Sequence, residues 1–252
     1  MVNEEAFRKL NAMKLFGMVS ALAEQQKGGD YESLSYEERI GFLIDREWTD
    51  REARKLSRRL RYAKLREQAC IEDIDYRTNR GLDKRVIRRL AESKWVAEKQ
   101  NVIITGATGV GKTYIACALS QEACRDGYTA LYRRVPRLLG ELAVARADGS
   151  FERLLSKLAK TDVLVLDDWG LAPLEDQERR DVLEVLEDRY ANRSVIVATQ
   201  LPTNTWHGYI GEPTLADAIV DRLLHNAHTI ELSGDSIRKT KNRLAKETRS
   251  AK

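Results

Sequence analysis

The chain of 252 residues is long enough for one large domain, or for an α/β domain with a small appendage. Apolar residues make up 42% and charged residues 33%, so a hydrophobic core can form, but no apolar run is long enough to span a membrane. The net charge of +4 is too small to indicate an acidic partner, and the acidic, weakly apolar N-terminus is unlike a signal peptide.

Residues 1–95 show helical periodicity and little of the alternation that is typical of strands. Ser35 and Glu38 have the spacing of a capping box, which predicts the start of a helix there. A further short helix is predicted over 82–91. We expect a small all-helical N-terminal domain.

From about residue 98 onward, strands alternate with helices. This alternation predicts a parallel five-stranded sheet covered by helices on both faces, with ligands bound at the carboxyl ends of the strands. The α/β domain is expected to span 96–240 and to be followed by a basic tail over 241–252. Strands are predicted at 101–105, 129–133, 162–167, 194–199 and 228–231, and helices at 112–126, 136–146, 151–160, 176–191 and 214–224.

A glycine-rich loop between the first predicted strand and the next helix reads GATGVGKT. This is the G-x-x-x-x-G-K-[ST] pattern in its proper strand–loop–helix context, where backbone N–H groups form an anion nest at a helix N-terminus. The pattern predicts ATP binding, with Lys112 reaching the β- and γ-phosphates and the Thr113 hydroxyl binding Mg²⁺. The nucleotide-binding residues are Gly106, Ala107, Thr108, Gly109, Val110, Gly111, Lys112 and Thr113.

Two carboxylates end the third predicted strand, which is otherwise apolar and therefore fits a central position in the sheet. We assign Asp167 to Mg²⁺ and Asp168 to the orientation of the attacking water; the alternative is a pair of acids that merely caps a strand. Many such ATPases carry Glu where Asp168 stands. At the end of the fourth strand, Thr199 or Gln200 could contact the water or the γ-phosphate, unless that too is a simple strand end.

Two arginines complete the predicted catalytic set, because charge that develops on a transferred phosphoryl group favours a guanidinium. Arg238 follows the last strand. Arg222 ends a helix far from the loop in sequence and could act from a neighbouring subunit. It could equally be an ion-pair partner of Asp217 or Asp221.

These motifs, taken in order, resemble the IstB transposition helpers, AAA+ ATPases encoded beside bacterial transposases and related to the DnaC-type helicase loaders. The resemblance rests on GATGVGKT, LVLDDWG, RYANRSVIVATQLP, TLADAIVDRLLHNAH and GDSIR, and it extends from the helical N-terminal region to about residue 240. It implies an AAA+ fold with sensor I at Thr199 and Gln200, an arginine finger at Arg222 and a sensor II arginine at Arg238. It also implies ATP-dependent self-assembly on duplex DNA and delivery of that DNA to a cognate transposase.

A cationic amphipathic helix is predicted over 51–66, which holds eight basic residues and one acid. Such a helix suits salt-sensitive phosphate contacts without sequence preference; alternatively its charges are neutralised by neighbours such as Glu47 and Asp50. In initiator-like relatives, the helical insertion after the second strand lines a central passage, which adds a second basic group. The candidate DNA contacts are Arg54, Arg58, Arg59 and Arg61 in the helix, and Arg133, Arg134 and Arg137 near the insertion.

Two other functions are compatible with the phosphate loop. A helicase loader would differ mainly in the partner of its N-terminal region, and a P-loop kinase would need an acceptor pocket and a lid. The three cysteines form no CxxC pair or Cys/His cluster, so we expect no disulfide or zinc site. We therefore expect a cytoplasmic, nucleoid-associated bacterial protein that forms homo-oligomers and does not bind membranes.

Overall fold

The structure, a computed structural model, describes residues 4–28, 30–76, 80–234 and 236. Packing divides the chain into two units, Met1–Arg58 and Arg59–Lys252. The domain boundaries expected from the sequence, after residues 95 and 240, remain predictions. Arg238 and the tail over 241–252 lie outside the described residues.

The described part of the first unit is helical. It contains α1 (Glu4–Ala12), α2 (Phe16–Gln26), a 3-10 turn (Asp30–Ser33) and most of α3 (Tyr36–Ala63). At the start of α3, the Ser35 N–H donates to Glu38 Oε2 at 2.7 Å, and the Glu38 N–H donates to Ser35 Oγ at 3.2 Å. This reciprocal pair confirms the predicted capping box.

The second unit contains the alternating strands and helices that the sequence predicts. The chain first forms two short helices, of which α4 agrees with the helix predicted over 82–91. The elements are α4 (Lys84–Ala91), α5 (Lys94–Ala97), β1 (Asn101–Gly106), α6 (Lys112–Arg125), β2 (Ala130–Arg134), α7 (Val135–Ala147), α8 (Phe151–Lys160), β3 (Val163–Trp169), α9 (Asp176–Glu187), β4 (Ser194–Thr199), a 3-10 turn (Thr203–Thr205), α10 (Trp206–Ile210), α11 (Pro213–Leu224) and β5 (Ala227–Leu232).

The five strands form one parallel sheet in the order β2-β3-β4-β1-β5, which confirms the predicted sheet. Strand β4 lies between β1 and β3, and Thr105 at the end of β1 pairs with Thr199 at the end of β4. The carboxyl ends of these three strands therefore lie side by side at one edge of the sheet. Every residue of β4 is buried, as expected for a central strand covered on both faces.

Helix α9 ends at Glu187, four residues before the predicted end. The Arg189 N–H bonds to the Leu186 carbonyl, an i−3 contact that tightens the last turn, and Ala191 adopts a left-handed φ of 56°. The Arg189 side chain then turns inward to the amino edge of the sheet. Its guanidinium donates to the carbonyls of Leu158, Thr161, Asp162 and Ser194.

Arg189 is the main buried cation of this edge. Burial lowers its pKa to about 9, so the guanidinium stays protonated at neutral pH and continues to donate. Because its acceptors belong to the end of α8 and the starts of β3 and β4, one side chain holds these three elements together. Among the described residues, no helix is both long and apolar enough to cross a membrane.

Candidate nucleotide-binding site

The loop between β1 and α6 is curled by glycines with positive φ. Gly106, Gly109 and Gly111 have φ values of 142°, 86° and 104°. A Cβ on Gly106 would lie 2.3 Å from the carbonyl oxygen of Leu232 on β5, so any side chain would collide with backbone. The loop leads directly into α6 at Lys112, which gives the helix N-terminus that an anion nest requires.

The two polar residues that follow the loop face different partners. The Lys112 ammonium donates to the carbonyls of Gly106 and Ala107 at 2.7 and 2.8 Å, which holds the charge over the loop. The Thr113 hydroxyl donates to Asp167 Oδ2 at 2.9 Å. The loop and the acid at the end of β3 are thus brought together, as the sequence predicts.

Asp167 is a buried carboxylate with donors on both oxygens. Its Oδ1 accepts the Asp168 N–H at 2.9 Å, and its Oδ2 accepts the Thr113 hydroxyl and, at 2.6 Å, the Tyr132 hydroxyl. A hydroxyl and a carboxylate are hard oxygen ligands, and Mg²⁺ is usually held by one or two such groups with phosphates and water. The described residues contain no group of three or more His, Cys, Asp or Glu that could hold a metal alone. Thr113 and Asp167 therefore fit a nucleotide-associated Mg²⁺.

Asp168 lies where β3 breaks register. The pairing with β4 shifts between Asp167 and Trp169, and Asp168 adopts a φ of 59°, which Asp tolerates better than most residues. The Asp168 carboxylate turns away from the strand and pairs with Arg134 Nε at 2.5 Å. The ion pair joins a predicted catalytic acid to a predicted DNA contact, which the sequence did not indicate.

Thr199 and Gln200, predicted together, have different surroundings. The Thr199 hydroxyl is buried, donates to the Trp169 carbonyl at 2.6 Å and accepts the Leu201 N–H at 3.0 Å, so it joins the ends of β3 and β4. Gln200 is exposed, and its Oε1 accepts the Thr108 hydroxyl of the phosphate loop at 2.6 Å. Of the two, Gln200 contacts the loop.

Arg222 lies at the edge of the sheet opposite to the phosphate loop. Its carbonyl accepts the side-chain amide of Asn101, the first residue of β1, at 2.9 Å. The loop begins at the other end of this strand, roughly 16 Å away at the usual rise per residue. The Arg222 guanidinium pairs with Glu187 at 2.6 Å and lies over the Tyr190 ring, so its ion-pair partner is neither of the two acids considered from the sequence.

The second predicted arginine, Arg238, lies outside the described residues. Ser236, two positions earlier, is described and reaches the phosphate loop: its Oγ lies 2.2 Å from where a Cβ on Gly109 would stand. The chain after β5 therefore approaches the loop at Ser236.

The basic residues of α3 are not equivalent. The buried carboxylate of Glu47 forms ion pairs with Arg51 at 2.6 Å and Arg54 at 3.5 Å. Glu47 therefore neutralises part of the basic helix, as the alternative interpretation of the sequence suggested. Arg58 and Arg61 are exposed. Farther along α3, Arg59 is half-buried and donates to the Cys124 carbonyl at 3.3 Å.

The three arginines near the insertion also differ. Arg133 is buried and donates to Glu141 at 3.0 Å and to the Tyr132 carbonyl at 2.9 Å. Arg134 is held by Asp168. The Arg137 side chain is 81% exposed, with Glu141 at 3.6 Å, and is the most open of the three.

Sequence reasoning missed two side chains that contact the predicted metal ligand. Tyr132 on β2 bonds to Asp167, and Arg66 lies 3.8 Å from the same carboxylate oxygen. Burial, together with the Asp167 hydrogen bond, raises the pKa of Tyr132, so its hydroxyl stays a donor. No local pattern marks either residue, because their proximity depends on β2 pairing with β3.

A curled glycine loop at a helix N-terminus, facing a buried carboxylate from a neighbouring part of the same sheet, defines a P-loop nucleotide-binding protein. Residues 8–245 match the family model described as IstB-like ATP binding protein, and the chain belongs to that family. This membership confirms the predicted ATPase of the IstB/DnaC-type AAA+ family.

The relatives that resemble the chain over most of its length are insertion-sequence proteins. An insertion-sequence ATP-binding protein of Sinorhizobium fredii is 52% identical over 235 residues, 93% of this chain and 96% of its own. The ATP-binding protein of insertion sequence IS21 from Pseudomonas aeruginosa is 34% identical over 212 residues, 84% of this chain and 80% of its own.

Solved structures share the fold. DnaI is 24% identical, with a TM-score of 0.58 over 66% of this chain and 91% of its own. The DnaC helicase loader is 19% identical, with a TM-score of 0.57 over 68% of this chain and 99% of its own. AMPPCP-bound DnaA from Aquifex aeolicus is 19% identical, with a TM-score of 0.58 over 71% of this chain and 56% of its own.

We expect Gly106→Ala to weaken both the fold and nucleotide binding. The added methyl group would collide with the Leu232 carbonyl, and Ala is strained at this φ, so the free energy of unfolding should fall by about 2 kcal/mol or more. Gly140→Ala in α7 is the control, because a Cβ there meets nothing within 4 Å. Urea unfolding and the affinity for a fluorescent ATP analogue would be measured. Equal behaviour of the two variants would contradict the close contact between the loop and β5.

Proposed function

We propose that this protein is a DNA-stimulated ATPase that assembles on duplex DNA and recruits or stimulates the transposase of an insertion sequence. The insertion-sequence origin of its relatives supports the transposase as partner. The placement of Arg222 and the phosphate loop at opposite edges of the sheet carries the assembly part of the proposal. A cytoplasmic, nucleoid-associated location follows from DNA as the partner.

The roles proposed for the site residues are supported by the contacts of those that the structure describes. The loop N–H groups and Lys112 bind the triphosphate, and Thr113 with Asp167 would hold Mg²⁺, which neutralises phosphate charge when bound. Asp168 would first release its ion pair with Arg134. Its carboxylate would then orient the attacking water and accept a proton from it. Gln200 would act through its contact with Thr108 of the loop, and Arg238, which lies outside the described residues, would supply a guanidinium from the same chain.

Asp168→Asn should bind ATP but hydrolyse it much more slowly, because an amide cannot accept the proton of water as a carboxylate does. Asn is suited to the test since it tolerates the left-handed φ of this position. ATP affinity, phosphate release, and the size of the complex on duplex DNA would be measured, and the variant should accumulate as the ATP-bound assembly.

Arg134→Gln separates the two functions of the carboxylate, because it breaks the same ion pair and keeps the acid. Its hydrolysis rate should exceed that of Asp168→Asn. If Asp168→Asn hydrolyses ATP near the wild-type rate, another residue orients the water.

We propose that the exposed cations of α3 contact DNA. Arg58 and Arg61 are exposed, and the helix contains no acid after Glu52 that could neutralise them. Exposed guanidinium groups in such a helix suit phosphate contacts that release counterions. Arg54 and Arg59 would contribute less, since Glu47 and the Cys124 carbonyl already bind them. Arg134 and Arg137 form the second candidate surface.

Replacing Arg58 and Arg61 together with Gln should weaken binding to unrelated duplexes about equally. The slope of log affinity against log salt should become shallower by roughly 2, because two phosphate contacts are lost. Lys160→Gln with Arg180→Gln, two exposed residues outside the candidate surfaces, is the charge-matched control. A slope unchanged by the α3 variant would move the contact to Arg134 and Arg137.

The helicase-loader alternative differs in its partner protein. If the protein bound a replicative helicase instead of a transposase, that alternative would be favoured.

Arg222 is proposed to act on the nucleotide of a neighbouring copy. Its distance from its own loop supports this role, since no side chain spans the sheet. Arg222→Ala should bind ATP but hydrolyse it at least about a hundredfold more slowly on DNA. Glu187→Gln breaks the ion pair of Arg222 and keeps the guanidinium. This variant should still hydrolyse ATP, because the proposed role requires the guanidinium and not its ion pair with Glu187.

Mixing experiments test the same role directly. Arg222→Ala protein mixed with Lys112→Ala protein should regain activity, because one mixed interface combines an intact loop with an intact arginine. Arg222→Ala protein mixed with a double variant that carries both Lys112→Ala and Arg222→Ala should not regain activity, since neither chain then supplies the arginine. Co-assembled mixtures that stay as inactive as their parents would show that Arg222 does not act across the interface.

A further inference from the structure

Arg66 and the predicted metal ligand form an ion pair that neither the motifs nor the family description assigns. The Arg66 guanidinium lies 3.8 Å from Asp167 Oδ2, the oxygen that also accepts the Thr113 hydroxyl. Asp167 is buried, and a buried carboxylate without a compensating cation is costly. Arg66 is therefore a countercharge for Asp167.

Tyr132 links the two charged groups. Its hydroxyl donates to Asp167 at 2.6 Å, and its interaction with Arg66 raises the pKa of that guanidinium. The Arg66 side chain is 40% exposed, whereas Tyr132 and Asp167 are buried. Of the three, Arg66 is the group that can leave without disturbing the core.

The position of Arg66 depends on the end of α3. Tyr62, in the last turn, bonds through its hydroxyl to Thr161 Oγ1 at 3.0 Å, and Arg59 bonds to the Cys124 carbonyl. After α3 ends at Ala63, Lys64 adopts a left-handed φ of 50° and turns the chain. Arg66 is thus the last cation of the basic segment over 51–66 and the one directed at the ATP site.

We propose that Arg66 is a displaceable countercharge that competes with Mg²⁺ for Asp167, and that duplex DNA bound to the basic segment releases it. The second half rests on the DNA binding proposed above. Two cations near one buried carboxylate disfavour each other, so Arg66 would oppose a Mg²⁺ held by Asp167 and would be expected to move outward when that ion binds. A DNA phosphate near the segment offers Arg66 an alternative anion and thereby favours the Mg²⁺-bound state. DNA would then stimulate the ATPase by releasing Arg66 from Asp167.

The first experiment needs no DNA and no hydrolysis. The affinity for a fluorescent non-hydrolysable ATP analogue would be measured across a Mg²⁺ titration, and the Mg²⁺ concentration at half of the affinity gain recorded. Arg66→Gln should lower this midpoint roughly threefold or more, because a cation close to a carboxylate disfavours a second cation. Arg66→Lys, which keeps the charge, should stay near the wild-type midpoint.

Lys64→Gln is the matched control, since it removes an exposed positive charge two residues away at a position not directed at Asp167. Its midpoint should equal that of the wild type. Circular dichroism and thermal unfolding would verify that each variant is folded. An Arg66→Gln midpoint equal to or above the wild-type value would overturn the proposed competition.

The second experiment repeats the titration with duplex DNA. DNA should lower the wild-type midpoint and leave that of Arg66→Gln unchanged, because the countercharge is already absent. Equal shifts in both proteins would overturn release by DNA, while the DNA-free result for Arg66 would stand. If the wild type does not bind DNA at all, the proposed function fails, and the first experiment still decides the role of Arg66 at Asp167.

Discussion

The hydrogen bond from Thr113 to Asp167 is the contact on which the site depends. Thr113 lies in the first turn of the helix after the phosphate loop, and Asp167 lies near the carboxyl end of β3, which is two positions away from β1 in the sheet. The bond fixes the loop relative to the acid, and each remaining feature is arranged around it. Asp168 lies at the register irregularity next to Asp167, and Tyr132 and Arg66 approach the same Asp167 oxygen as Thr113. A single buried oxygen thereby connects α6, β2, β3 and the chain after α3.

Sequence-local features were predictable, and features that depend on strand order were not. The phosphate loop, the five strands and the capping box at Ser35 follow from spacing and residue type within a few positions. By contrast, the ion pair of Asp168 with Arg134 and the bond of Asp167 with Tyr132 require β2 to lie beside β3, which no local pattern specifies. The short helices α5 and α10 span too few residues to show a helical period. The predicted end of α9 was too late because its apolar period continues beyond the turn at Arg189.

The basic segment shows why counting charges does not locate a binding surface. The eight cations look alike in the sequence, yet their contacts and exposure differ in the structure. Glu47 pairs with Arg51 and Arg54, a backbone carbonyl accepts from Arg59, and Arg66 lies near Asp167. The exposed Arg58 and Arg61 remain available to an anion in solvent. Local electrostatic pairing, rather than net charge, decides which arginines can release counterions.

The opposite placement of Arg222 and the phosphate loop gives any assembly built on that contact a direction. Each copy would present a loop on one side and an arginine on the other, so the interface is heterologous and the two ends of an open assembly differ. One terminal copy would hold ATP with no arginine facing it. An open spiral would therefore always contain one complete site fewer than it has subunits, whereas a closed ring would complete them all. The terminal copy would hydrolyse its ATP most slowly, so the two ends of the assembly would differ in the nucleotide that they hold.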